Sequence, residues 1–300
     1  MQATWMILSA LIFSTMAVCV KFASAHFNNA ELVFYRGVIG VVFMAGFARV
    51  RGTSLVTHVL PMHIWRSVVG VAALSSWFYA IANLPLATAM TLNYMSSVWI
   101  AAFLVGGSLM FAKAGERIQS QGPLVAAILA SFAGVVMLLR PTMDQNQAFA
   151  GLIGLLSGLG AAFAYMQVMV LARMGEPEGR TVFYFAIGTA IAGGLGMAVL
   201  GVSDWNWLHA MWLLPIGLLA SIGQLCMTKA YAMSTNHGGT LMVANLQYSG
   251  IIFSALYGLV LFGDQIPLLG WAGMGLIVVS AIAATILRTL AAPNATAEEQ

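Results

Sequence analysis

Seven polar side chains recur at helical spacing inside runs that are otherwise apolar. Asn93 and Ser97 are four residues apart, Asn245 and Ser249 repeat that spacing, and Gln224, Thr228 and Tyr231 fall at i, i+4 and i+7. Residues so spaced share one face of a helix. Tyr94 adjoins the first pair, and Gln247 and Tyr248 adjoin the second. Tyr165 and Gln167 lie in a further apolar run, as do Ser75, Ser76, Trp77 and Tyr79. Amides, hydroxyls and aromatic faces can hold a polar solute reversibly. No nucleophile with its base, no acid/base pair and no metal-ligating cluster can be assembled beside them, so the chemistry is recognition without bond making. Neither a metal nor a cofactor is expected.

The candidate binding residues are Asn93, Tyr94, Ser97, Tyr165, Gln224, Asn245, Gln247, Tyr248, Trp77 and Tyr79. Each has a structural alternative. Hydroxyls inside membrane helices commonly bond to their own backbone, amides can bridge helices, and deep aromatics can simply pack. Trp5, Tyr35, Trp65, Trp205, Trp207 and Trp212 lie near the ends of apolar runs, where interfacial anchoring accounts for them. Lys21 and Arg36 either attract a carboxylate or serve structure, by snorkelling or, for Arg36, by a contact with Glu31. Glu116 and Asp264 read as caps or pins for the helices that follow them.

These residues need elements that hold them in hydrocarbon. A chain that is 61% hydrophobic and 7% charged, with mean hydropathy +0.91, cannot cover itself with a water-compatible surface. About 20 apolar residues span a bilayer, and on that ruler there are ten segments: 3–24, 31–49, 63–83, 87–111, 121–140, 149–172, 181–202, 208–233, 239–262 and 266–288. Ala23-Ser24-Ala25 resembles a signal-peptidase site, but no basic region precedes it, so the first segment reads as a retained helix. The stretch 291–300 reads as a disordered cytoplasmic tail.

Basic residues lie singly between the segments, as orientation signals do, and not in patches for nucleic acid. Arg49, Arg51, Arg66, Lys113, Arg117, Arg173, Arg180, Lys229 and Arg288 fall on one side if both termini are cytoplasmic. The compartment is then a bacterial cytoplasmic (inner) membrane. Cys19 and Cys226 sit inside apolar runs and suggest no disulfide.

Two halves resemble each other. At a constant offset of 152 residues, Tyr79-Ala80 meets Tyr231-Ala232, and Thr88, Met90, Asn93 and Ser97 meet Thr240, Met242, Asn245 and Ser249. Five helices per copy is an odd number, so the second copy enters the membrane inverted: 1–146 forms the first repeat and 147–290 the second. Inverted repeats give transporters two related conformations around a midplane site. The expected fold is thus an all-α polytopic membrane protein of ten transmembrane helices.

Arg36, Tyr79-Ala80 followed by Ala87-Thr88-Ala89, and acids before the fifth and tenth segments (Glu116, Asp264) together resemble the EamA-type branch of the drug/metabolite transporter superfamily. Asn93-Tyr94 resembles its aromatic amino-acid exporter group. Ser96-Ser97 and Ser249-Gly250 stand where many such proteins carry a mid-helix proline. The resemblance implies an exporter of small metabolites, with amino acids, including aromatic or bulky apolar ones, as the expected substrates. With no carboxylate in the membrane core, facilitated diffusion of a neutral or zwitterionic solute by alternating access fits best; a proton-coupled exporter of quaternary-ammonium compounds or drugs is the alternative. The partners are then a small-molecule substrate and membrane lipid. The polar residues put the first, third, fourth, sixth, eighth and ninth segments around a cavity. The fifth and tenth are left to lipid or to a second copy in a homodimer.

Overall fold

The computed structural model describes residues 2–111, 122–139, 145–234 and 237–291. The described residues are all helical apart from turns and connecting loops, with no strand among them. Glu116 and the expected tail, from residue 292 on, lie outside them. Helices α1 (Gln2–Ala23), α2 (Asn29–Arg51) and α3 (Leu60–Asn83) come first, followed by α4 (Leu86–Tyr94), α5 (Ser96–Phe111) and α6 (Gly122–Leu139). After them run α7 (Gln145–Arg173), α8 (Glu178–Leu200), the short α9 (Trp207–Ala210), α10 (Leu213–Ala232), α11 (His237–Leu246), α12 (Ser249–Tyr257) and α13 (Leu268–Ala291). Seven stretches among the described residues are long and apolar enough to cross a membrane, and 125–138 and 268–284 are shorter apolar helices.

Caps set the boundaries. Asn28 accepts from Glu31 N–H while Glu31 accepts from Asn28 N–H, a reciprocal capping box that opens α2. Gly52 closes α2 at φ 64°, a left-handed turn that few residues but glycine adopt cheaply.

Two expected spans are not single rods. Segment 87–111 is α4 and α5, parted at Met95, whose N–H is shared between Thr91 O at 3.1 Å and Leu92 O at 3.3 Å. Segment 239–262 is α11 and α12, parted at Gln247 and Tyr248, followed by a π-turn over Gly258–Phe262. There Gln247, Tyr248, Gly250 and Ile251 all donate three residues back, so the helix tightens through its middle. Serine hydroxyls add donors for the carbonyls at this join: Ser97 Oγ reaches Ala244 O at 2.9 Å and Ser249 Oγ reaches Leu246 O at 2.7 Å. The two breaks fall at equivalent places in the two sequence copies.

The most extensively packed helix pairs are α2 with α8, α6 with α13, α3 with α7 and α1 with α10. Small residues permit this approach. A Cβ at Gly134 would come 2.8 Å from Gly273 O, and one at Gly273 would come 2.6 Å from Gly134 O. Ser131, one turn from Gly134, and Ser280, two turns from Gly273, share a hydrogen bond of 2.7 Å.

Candidate central cavity

A cavity lies between α1, α2, α3, α4, α7, α8, α10 and the break before α12. One apolar wall comes from Met6, Ala10, Phe13, Ala73 and Leu74, another from Ala161, Ala164 and Met227. Six of the ten sequence candidates line it: Trp77, Asn93, Tyr94, Tyr165, Gln224 and Gln247. Asn93 Nδ2 donates to Ser157 Oγ at 3.1 Å, and Gln247 Nε2 to the Tyr231 hydroxyl at 2.6 Å. Tyr231 stacks on Tyr165 with centroids 5.6 Å apart. Gln224, by contrast, has no hydrogen-bond partner among the described residues, so its amide is free for a solute.

The other four lie elsewhere. Ser97 and Asn245 border a separate, small space beside α6 and α13. Their polar atoms are engaged: Ser97 as above, and Asn245 Nδ2 with Ala281 O at 3.2 Å. Tyr248 is buried behind Tyr94, edge-to-face at 6.4 Å. Tyr79 packs its ring against Phe149, 5.9 Å away. Trp77 and Tyr79 are two residues apart on one helix, about 200° around its axis, so both cannot face the same space.

The sequence reading placed α2 and α8 outside the cavity, and the structure corrects this. Arg36 of α2 and Phe185 of α8 line it, as does Arg66, which had been counted as a cytoplasmic flank. Arg36 is 5% exposed and Arg66 2%. Both lean on the ring of Phe185, with Cζ 5.0 Å and 4.1 Å from its centroid. The two charges are therefore at most the sum of those distances apart, about 9 Å. At an effective dielectric of about 20 they repel by roughly 2 kcal/mol or more. Neither has a hydrogen-bond or salt-bridge partner among the described residues, and Arg36 Nε, Arg66 Nε and one terminal Arg66 nitrogen are buried orphans. The Arg36–Glu31 contact, one of the alternatives for Arg36, is not formed; Glu31 is engaged by Asn28 and Ser203. A sequence signal was present: each arginine precedes a glycine by one turn, Gly40 and Gly70. A Cβ at Gly70 would sit 2.8 Å from the Arg66 guanidinium and 2.8 Å from Phe185.

Polar contacts pin the bundle at both ends. At one, Lys21 Nζ is 3.2 Å from Asp264 Oδ1 and donates to Leu84 O, while Leu86 N–H donates to Asp264 Oδ2 at 2.8 Å. Asp264 thus pins the start of α4, where the sequence reading had it pinning the helix after it. His26 stacks on His209 at the same end, centroids 3.4 Å apart. At the other, Glu176 accepts from Thr57 at 3.0 Å and Arg180 at 3.1 Å and lies 3.1 Å from His63 Nε2. Burial raises the Glu176 carboxyl, yet those three hydrogen bonds together hold it below its ordinary value.

The profile of the EamA-like transporter family matches residues 1–140. The pseudopaline exporter CntI of Pseudomonas aeruginosa is 31% identical over 92% of this chain and 93% of its own. A riboflavin transporter of Rhizobium johnstonii is 29% identical over 77% of this chain and 74% of its own. One crystal structure, 19% identical, covers 98% of both chains with a TM-score of 0.66, which is a likeness of fold.

Proposed function

Since the chain belongs to the EamA-like transporter family and is a multi-pass membrane transporter, we propose that it exports small carboxylate-bearing metabolites, amino acids among them, through the central cavity by alternating access. The carrying observation is the composition of that cavity. Amides from α4, α10 and the break before α12 face it, beside the aromatic faces of Trp77, Tyr94 and Tyr165. Such a lining grips a polar solute without a covalent step.

The pairing of helices supports an inverted repeat of two five-helix units, 1–146 and 147–290, in a ten-span fold. Exchanging the halves turns the α1–α10 contact into the α7–α3 contact, and it leaves α2–α8 and α6–α13 unchanged. Paired breaks in the fourth and ninth spans supply hinges beside the site. Both termini are then cytoplasmic, in a cytoplasmic membrane, and the name of the exporter among its relatives favours outward flux. Two uncompensated arginines in the cavity disfavour the quaternary-ammonium alternative, because they repel a cation.

Inside-out membrane vesicles should accumulate radiolabelled amino acids saturably, and more than vesicles lacking the protein. Absence of accumulation for every amino acid offered would remove amino acids from the substrate range.

A further inference from the structure

We infer that the cavity is built for net-anionic solutes carrying two acid groups, one for Arg36 and one for Arg66, an inference that rests on the transport reading of the same site. Two guanidiniums are held beside one ring, Phe185, with no acid beside them. Buried cations are normally paired, because an isolated charge in a low-dielectric interior is costly. The described acids Glu31, Glu176, Glu178, Asp204 and Asp264 lie at helix ends or in loops, and none lines the cavity. The countercharge must then come from the solute. A monocarboxylate would neutralise one guanidinium and leave the other repelled and unpaired. A cation with no acid group of its own would meet two like charges and no acid. The free amide of Gln224, with Asn93 and Gln247, suits the neutral polar part between two carboxylates.

Cation–π contact with Phe185 holds the planar forks in place before a ligand arrives. A preorganised guanidinium takes a carboxylate through two parallel hydrogen bonds, a geometry lysine lacks. Gly70 provides the room for the Arg66 fork.

The test uses the purified full-length protein, with thermal-shift binding in detergent and counterflow in proteoliposomes. The probes are glutarate, glutamate, phenylalanine and choline, and the proteins are wild type, Arg36→Gln, Arg66→Gln and Arg66→Lys. Glutarate and glutamate should stabilise and exchange in wild type, and each glutamine variant should weaken them by about tenfold or more. Arg66→Lys should recover only part of that loss. Should the glutamine variants fail to fold, Gly70→Ala keeps both charges but displaces the Arg66 fork, and the same loss of diacid binding is expected. Diacid binding that depends on both arginines, with no exchange of any probe, would sustain the site and defeat the transport reading. Exchange of phenylalanine or choline that equals the diacids, or a diacid preference untouched by the variants, would sustain transport and defeat the proposal. Failure of every probe to bind would also overturn it.

Discussion

Lys21 and Asp264 meet 3.2 Å apart, and the second oxygen of that carboxylate accepts the first free backbone N–H of α4, that of Leu86. One acid thus ties α1, α4 and the loop before α13 together at the end of the bundle assigned to the outside. Both partners are mostly buried, at 17% and 11% side-chain exposure. Breaking this contact should loosen that end.

Cys19 lies two residues from Lys21 and is buried, which makes it a reporter of such loosening. In a Cys226→Ala background, Asp264→Asn should raise the labelling rate of Cys19 by an impermeant maleimide about fivefold. That factor is what a contact of about 1 kcal/mol supports. Unchanged labelling would mean that the contact does not hold this end closed.

At the opposite end the hydrogen bonds to Glu176 set a pH dependence. Its carboxyl is held below its ordinary value when folded, so its contribution is fully present above the unfolded value and is lost as pH falls through the folded one. Thermal stability of wild type should therefore exceed that of Glu176→Gln above about pH 5, and the two should converge below the ordinary value of 4.5. A gap that persists or widens in acid would assign the stabilising charge to another group.

The crossing of α6 and α13 depends on two glycines that face each other. Gly273→Val should cost about 1–3 kcal/mol, because a side chain there meets backbone atoms that cannot move aside cheaply. Gly275→Val is the control, as a Cβ there meets nothing within 4 Å. Equal melting temperatures for the two variants in detergent would contradict this packing.

Much of the helical scaffold was legible in the sequence because hydrocarbon imposes long apolar runs. The breaks at Met95 and Gln247 were not, since the helix re-forms within a residue or two and composition does not change across them. Asn93, Gln224 and Gln247 could be singled out as cavity-lining because an amide in an apolar run demands a reason. Tyr79 looked equivalent to Trp77, but the two project from opposite sides of α3. Arg66 was hidden by a rule that is sound on average. Basic residues near helix ends usually flank the membrane; besides the glycine one turn on, Gly70, it is burial beside Phe185 that separates Arg66 from Arg49 and Arg51, which stay exposed.

The central claim is that solute crosses through the cavity between the two halves. Counterflow in proteoliposomes preloaded with a mixture of amino acids, without an imposed proton gradient, tests it in wild type, Asn93→Ala and Gln247→Ala. Saturable exchange that drops about tenfold in both variants, with melting temperatures preserved, is the expected result. Exchange that is unaffected by either substitution would place the pathway elsewhere and contradict the account.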